Sequence, residues 1–338
     1  MGSINFFGSE MFGSLSDAVG SKSGLALTRT HIVEIFQEDG RFTEFVDVEE
    51  DDWIRVHSVV YEEMAELLLF KVGRLEQIDN LNPLASLLRK YGRTRKIVDV
   101  ATDISKLFIE FYESLDLSQM QRGGSIDPTP FLISALKKHG RKGFDMASDF
   151  LAAYNAQLIL KSIHFPEVYP ISGIIELEEL FVSEGLGDQA GGYLDQRYID
   201  FIHRNFDKID DINWRKFEGL TADYFSRRGF EVKLGEGRND DGVDVRIWPK
   251  DDDSSKPPAI IVQCKRQRAS VSKIIVKSLF ADVLHNKAQS GLVVTTSRLS
   301  PGAAAVCKAR KYPVEAADRD TIRQWVEEMR KPGMGMAD

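Results

Sequence analysis

The stretch AIIVQCKRQ, Ala259–Gln267, is apolar over its first four residues and polar at its end. Isoleucine and valine favour β structure, so the stretch predicts a buried strand. Successive side chains of a strand alternate between its two faces, so Gln263 and Lys265 share one face while Cys264 points to the other. Two polar side chains therefore lie together at the end of an otherwise apolar strand.

The elements around this strand indicate an α/β fold in the C-terminal part of the chain. We read their order as αβββαβα and predict a mixed sheet with helices on both faces. An amphipathic helix that ends near Gly229 comes before the sheet. The predicted helices cover 213–230, 271–287, 301–312 and 320–330, and the predicted strands cover 231–235, 244–248, 259–267 and 290–297.

The N-terminal part of the chain has a mainly helical pattern. Its Gly- and Ser-rich start, residues 1–28, predicts a loosely ordered lead. Alternating apolar residues around Asp39-Gly40 predict a β-hairpin over Thr30–Val48. Proline and glycine between 168 and 192 indicate a linker. Helical spacing follows in 59–78, 82–92, 97–115, 127–140 and 146–163.

Length and charge divide the chain into two predicted domains. A chain of 338 residues is longer than one core usually organises. Residues 1–200 carry 19 Lys and Arg against 32 Asp and Glu, a balance of −13, whereas residues 201–338 carry 25 against 20, a balance of +5. The basic domain has the sign that phosphate binding needs. For the acidic domain we expect recognition, regulation, protein binding or oligomerisation instead.

Several classes of protein are disfavoured by the sequence. It contains no apolar run of about 18 residues, and its start lacks the pattern of a secretory signal. Its two cysteines form no CxxC motif, and its six histidines show no HExxH spacing. We therefore expect a cytoplasmic protein with no membrane partner, no disulfide framework and no structural zinc.

The stretch NDDGVDVRIW, Asn239–Trp248, supplies a carboxylate for the polar end of the central strand. A hairpin would bring Asp244 beside Gln263 and Lys265. Oxygen ligands suit Mg²⁺, and Asp244, the side-chain carbonyl of Gln263 and the backbone carbonyl of Cys264 are the candidates. Lys265 would orient a water or stabilise developing charge. The pattern favours metal-assisted phosphodiester hydrolysis, while a turn-capping role remains the alternative for Asp244.

Four segments together resemble the Mrr-type catalytic domain of the PD-(D/E)xK nuclease superfamily over about residues 212–330. The sequence departs from the family's frequent DGGxD pattern, because Val243 follows a single Gly242. The segments that carry the resemblance are FEGLTADYFSRRGFEV, DDGVDV, IVQCKR and GLVVTTSRLSPGAAAVCKA.

The resemblance implies a restriction-endonuclease-like fold and a Mg²⁺-dependent DNA endonuclease, with Mn²⁺ as a substitute. It implies metal binding by Asp244 and Gln263, the latter in place of an acidic residue, and catalysis by Lys265. Glu218 matches a supplementary acid of the superfamily, although an ion pair or exposure explains it equally well. A homo-oligomer, a partner protein bound by the N-terminal region and a role in defence against foreign DNA are further expectations.

A basic, hydroxyl-rich segment follows the catalytic strand and is the candidate DNA contact. We interpret this segment as a phosphate-binding site at the start of a helix, and a solvated surface is the alternative. Helix capping accounts for part of the hydroxyl cluster. The candidate DNA-binding residues are Arg266, Arg268, Lys273, Thr296 and Ser297.

Two further alternatives concern chemistry and function. Cys264 fits a small buried apolar residue better than a thiol nucleophile, because it faces away from Gln263. A silent nucleic-acid-binding module or a protein scaffold that retains the nuclease fold is the alternative function. An intact set of Asp244, Gln263 and Lys265 argues against it, since binding alone needs no metal site.

Overall fold

The structure is a computed structural model, and its chain divides into two compact units. The first comprises residues 1–18, 32–70 and 75–170, and the second comprises 19–31, 71–74 and 171–338. This division differs from the predicted boundary near residue 200. The described residues are 3–75, 78, 83–115, 126–161, 173–186, 192–237, 242–250 and 255–330, without the side chains of 156–161.

A buried arginine explains why residues before the predicted boundary belong to the second unit. The Arg197 guanidinium donates to Gly24 O at 2.7 Å and to Gly173 O at 3.2 Å. It also pairs with Asp195 at 2.7 Å, and both side chains are almost fully buried. Because a buried charge needs such partners, these contacts tie distant segments of the chain together.

The N-terminal elements are helical apart from short strands. β1 and β3 pair antiparallel, with Ser3 opposite His57. In chain order the elements are β1 Ser3–Phe7, α1 Gly8–Ser23, β2 Leu25–Ala26, α2 Arg29–Asp39, β3 Trp53–His57, α3 Ser58–Lys71, α4 Pro83–Tyr91, α5 Arg95–Glu113 and α6 Thr129–Lys161.

Two predictions for this region are wrong. Residues 1–28 contain β1, α1 and β2 instead of a loose lead. The predicted hairpin at Thr30–Val48 is α2 followed by a 3₁₀ turn at Thr43–Phe45. Gly40 has a φ of 77° and its amide donates to Phe36 O, so it ends the helix instead of forming a hairpin turn.

The other helical predictions for the region are confirmed, except that α3 ends at Lys71 where the prediction continues to residue 78. Residues 162 and 163 of the last predicted helix lie outside the described residues. Phe108 of α5 packs against Phe131 and Phe150 of α6, with ring centroids 5.4 and 5.1 Å apart. Gly140 interrupts α6 with a φ of 66°, at the end of the first of the two segments predicted there. Among the described residues, no helix is long and apolar enough to cross a membrane.

The C-terminal elements form the predicted α/β arrangement with two additions. The predicted linker contains β4 and α7, and the predicted αβββαβα order lacks a strand, β9, between the last two helices. In chain order the elements are β4 Ile175–Glu176, α7 Glu179–Val182, α8 Gln196–Arg204, α9 Trp214–Arg227, β5 Glu231–Leu234, β6 Val245–Trp248, β7 Ile260–Lys265, α10 Lys273–His285, β8 Ser290–Thr295, α11 Pro301–Arg310, β9 Val314–Ala317 and α12 Arg319–Met329.

Within the described part of the chain, β5 to β9 form one mixed sheet in that order. β5, β6 and β7 pair antiparallel, and β7, β8 and β9 pair parallel. β7 is the central strand of these five. Ile261 of β7 and Val293 of β8 pack in one buried cluster with Val276, Leu279 and Val283 of α10. This cluster supports the strand that carries the predicted site.

Two expectations from the sequence concern residues outside the described part of the chain: that Asp240 and Asp241 lie in a turn before Asp244, and that Asp251–Asp253 form a solvated loop.

Leu279→Ala is expected to lower the free energy of unfolding by about 2–5 kcal/mol, because it removes a fully buried side chain and leaves a cavity. A urea titration followed by circular dichroism measures the loss. Ile274→Ala in the same helix is the control, since its side chain is 70% exposed. Equal shifts for the two variants would contradict the packing of α10 on the sheet.

Candidate active site

Asp244 lies immediately before β6 and is fixed to β7 by backbone hydrogen bonds. The Asp244 amide donates to Val262 O at 2.9 Å, and the Cys264 amide donates to Asp244 Oδ2 at 2.6 Å. Val245 pairs with Val262 in the sheet. The predicted juxtaposition of Asp244 with the polar end of the central strand is thus what the structure shows.

Helix α9 brings Glu218 to the same end of the sheet. Its N-terminus is capped by Asn213, whose side chain accepts from the Arg215 amide. Glu218 is buried and pairs with Arg215, with Nη1 and Oε2 2.7 Å apart. One turn further along, Thr221 Oγ1 lies 3.6 Å from Cys264 Sγ, so α9 packs on the face of β7 that Cys264 occupies.

A cleft of about 440 Å³ opens where these elements meet. Two acidic residues, Asp244 and Glu218, and the basic residue Lys265 line it together. Aromatic and glycine residues complete its wall, and both signs of charge therefore meet in one solvent-accessible space. Its lining residues are Trp214, Phe217, Glu218, Gly237, Asp244, Cys264, Lys265 and Arg266.

Lys265 ends β7 and is half-buried. Its backbone is held by β8, because Lys265 pairs with Thr295 in the parallel register and Thr295 Oγ1 donates to Lys265 O at 2.8 Å. Lys265 therefore lines the cleft from a fixed strand end instead of a loop. A cation placed in this way is suited to stabilising negative charge on a bound phosphate.

Gln263 does not line the cleft, although the sequence groups it with Asp244 and Lys265. Its side chain is 6% exposed, and its Nε2 lies 3.1 Å from where a Cβ on Gly242 would stand. In the part of the chain that is described, Gln263 Oε1 has no hydrogen-bond partner. A buried carbonyl oxygen without a donor is unfavourable, so this atom is free to bind a cation.

The charges of the site surround the Cys264 thiol. Burial raises the pKa of this thiol well above its usual range, and the carboxylates of Asp244 and Glu218 raise it further, while Lys265 and the Thr221 contact oppose them. The thiol is protonated at neutral pH, because its pKa is raised. This supports the interpretation of Cys264 as a small buried residue instead of a nucleophile.

The oxygen donors of the site fit Mg²⁺. Among the described residues, no group of three or more His, Cys, Asp or Glu side chains is arranged as a metal site. The two carboxylates must therefore be complemented by neutral oxygens. The side-chain carbonyl oxygen of Gln263 has a lone pair available for this. The backbone carbonyl of Cys264, the next residue of β7, is a second neutral oxygen. Hard cations of this size take such carboxylate and carbonyl ligands.

The predicted DNA-binding arginines follow β7 closely along the chain, and Arg266 alone of the two lines the cleft. Arg266 lines it and donates to Asp210 O at 2.9 Å. Arg268 pairs with Asp211 at 3.2 Å, and its side chain is 78% exposed. Pairs this exposed are weak, so both guanidinium groups can exchange a protein partner for a phosphate at little cost.

The other predicted DNA contacts occupy different environments. Lys273 is exposed at the first turn of α10. Thr296 is 2% exposed, and its hydroxyl donates to Gln267 O while accepting from the Gln267 amide. Ser297 is half-buried and donates to Ala269 O at 2.8 Å. The two hydroxyls hold the segment after β7 against the end of β8, which is a structural role.

The sequence does not identify Arg215 and Trp214 as residues of the site. Arg215 donates to Gly235 O at 2.8 Å in addition to its contact with Glu218. A Cβ on Gly237, whose φ is 94°, would lie 3.3 Å from the Trp214 ring. The spacing of three between Arg215 and Glu218 was the available signal, since such residues are neighbours on a helix.

The comparison with protein families agrees with this geometry. Residues 209–326 match Mrr_cat, a family model described as a restriction endonuclease. We refer to residues 209–326 as the Mrr_cat region. The match confirms the resemblance found in the sequence and supports a DNA nuclease.

Comparisons with individual proteins give less information on function than the family match. None of the curated proteins matches the chain. The solved structure titled "MspJI Restriction Endonuclease in Complex with 27-mer Oligonucleotide" is 25% identical over 41% of this chain, with a TM-score of 0.28. The chain covers 32% of that protein, so most of its length has no counterpart here.

Cys264 is expected to resist alkylation by iodoacetamide at pH 8 in the native protein, because its raised pKa and burial leave little accessible thiolate. Cys307, which is only partly buried, is expected to react faster. Peptide mass mapping over time compares the two rates. Equal rates would contradict the thiol environment described above.

Proposed function

We propose that the Mrr_cat region is a Mg²⁺-dependent DNA endonuclease, with Mn²⁺ able to replace Mg²⁺. The observation that carries the proposal is the shared cleft of Asp244, Glu218 and Lys265. Two acidic residues and a lysine around one cleft serve phosphodiester hydrolysis, whereas DNA binding alone requires cations without buried acids.

Asp244 Oδ1, Gln263 Oε1 and the Cys264 carbonyl would hold the metal. When bound, Mg²⁺ supplies Lewis-acid polarisation of a phosphate oxygen and a more acidic water. Asp244 is pre-oriented for this task, because its Oδ2 accepts the Cys264 amide. Glu218 is the supplementary acid, and it accepts from Arg215 on the wall of the cleft.

The reaction forms a bond from a water oxygen to phosphorus and breaks the bond from phosphorus to one sugar oxygen. The water loses a proton, and the departing sugar oxygen gains one. Lys265 stabilises the negative charge that accumulates on the phosphate oxygens during this exchange. Arg266 and Arg268 hold neighbouring phosphates, and Lys273 extends this contact along the DNA backbone.

The first unit and residues up to about 200 would provide recognition, regulation or oligomerisation. The support is their charge balance of −13, which disfavours a direct grip on DNA. Cutting both strands is achieved readily by a homo-oligomer with two clefts. We also propose a role in restriction or defence, as the resemblance of the Mrr_cat region implies, and a partner protein bound through the acidic region.

Asp244→Asn and Lys265→Gln are each expected to reduce plasmid cleavage with Mg²⁺ by at least about 100-fold, because they remove a metal ligand and a stabilising charge. Gel electrophoresis of plasmid and of methylated DNA with and without Mg²⁺ measures the effect. Lys277→Gln, an exposed residue of α10, is the control. Wild-type protein that leaves every DNA intact with Mg²⁺ would overturn the proposal in favour of a silent binding module.

Arg268→Gln is expected to weaken DNA binding and to reduce the slope of log affinity against log salt by about 0.9, the change for one lost phosphate contact. The measurement is fluorescence anisotropy of labelled duplex at several salt concentrations, in an Asp244→Asn background without divalent metal. Arg310→Gln, an exposed arginine of α11, serves as the control. An unchanged slope for Arg268→Gln would remove this residue from the DNA contact.

A further inference from the structure

Arg215 links the Glu218 carboxylate of the cleft to the backbone that follows β5 through one side chain. Its Nη1 donates to Glu218 Oε2 at 2.7 Å, and its Nη2 donates to Gly235 O at 2.8 Å. The side chain is 15% exposed, so it lies largely within the protein. A planar guanidinium with several fixed donors can bridge two acceptors in this way, and a lysine ammonium cannot match its geometry.

Gly235, whose carbonyl accepts from Arg215, is also hydrogen-bonded to Asp244. The Gly235 amide donates to Asp244 O at 2.7 Å, while the Gly235 carbonyl accepts from Arg215. Asp244 Oδ2 in turn accepts the Cys264 amide at 2.6 Å. A continuous series of hydrogen bonds therefore runs from the Glu218 carboxylate through Arg215 and Gly235 to Asp244 and β7.

The same segment is packed against α9 next to Arg215. A Cβ on Gly237 would lie 3.3 Å from the Trp214 ring and 3.6 Å from Arg215 Nη1. The backbone between β5 and β6 thus approaches the first turn of α9 closely at Gly237. The Arg215 side chain and this backbone therefore pack directly against each other.

We propose that Arg215 is a positioning residue that sets the separation between the carboxylates of Glu218 and Asp244. This rests on the proposed function of the cleft. Arg215 touches no reacting atom and acts through the two acids: it orients Glu218 and fixes the backbone of Asp244. Partners of this kind typically change metal affinity or activity by about 10- to 100-fold when removed.

Arg227 of the same helix is a matched control. It pairs with the buried Asp223 at 2.9 Å and donates to Gln196 Oε1 and to Met329 O. Like Arg215, it bridges an acid and a backbone carbonyl, but neither Arg227 nor its partners line the cleft. Arg215→Lys and Arg227→Lys each keep the positive charge and remove the planar guanidinium that binds two acceptors at once. A difference in Mn²⁺ binding or cleavage between the two variants therefore reports on the cleft.

The experiment measures Mn²⁺ binding by calorimetry without DNA, plasmid cleavage and melting temperature for both variants. We expect similar melting temperatures, but about 10- to 100-fold slower cleavage and weaker Mn²⁺ binding for Arg215→Lys alone. Arg215→Gln and the double variant Arg215→Gln, Glu218→Gln complete a cycle. Because Arg215 acts in part through Glu218, the double variant is expected to lose less activity than the sum of the losses of Arg215→Gln and Glu218→Gln.

Two outcomes would overturn the inference. One is Mn²⁺ binding and cleavage by Arg215→Lys equal to those of Arg227→Lys, and the other is additive losses in the cycle. Arg215→Gln provides the comparison with Arg227→Gln should either lysine variant fail to fold. Wild-type protein that neither binds Mn²⁺ nor cleaves DNA would instead refute the proposed function, so the two failures are distinguishable.

Discussion

The hydrogen bond from the Cys264 amide to Asp244 Oδ2 is the constraint on which the site depends. It joins the carboxylate that precedes β6 to the polar end of β7, and both residues are buried. A buried carboxylate is stable only when donors or cations satisfy it, and this amide satisfies one oxygen. This one contact therefore links the register of the sheet to a carboxylate that lines the cleft.

The remainder of the domain keeps that contact rigid. Behind β7, the cluster of Ile261 and Leu279 fixes the strand against α10. On its other face, α9 contributes Glu218 and contacts Cys264 through Thr221. Sites built on strands and helices hold their geometry better than sites on loops. Arg266 and Arg268, which follow β7, are exposed.

The sequence predicts the sheet and the residues at its polar end because β7 has a strong apolar run with two polar positions. The sequence wrongly predicts a β-hairpin in place of α2. Ile32, Ile35 and Phe36 are buried at helical spacing, but they also fit an alternating pattern beside Asp39-Gly40. The sequence misses β3, which pairs with β1 about 50 residues away. It also misses Arg215, because its contact with Gly235 depends on the fold.

The most direct test of the central claim is the position of Mn²⁺ in crystals of the protein, located by anomalous scattering. The account predicts a peak within ligand distance of Asp244 Oδ1, the Cys264 carbonyl and Gln263 Oε1, at about 2.0–2.2 Å as for Mg²⁺. It also predicts loss of this peak in Asp244→Asn. A peak bound by other residues, or one that persists in Asp244→Asn, would contradict the account.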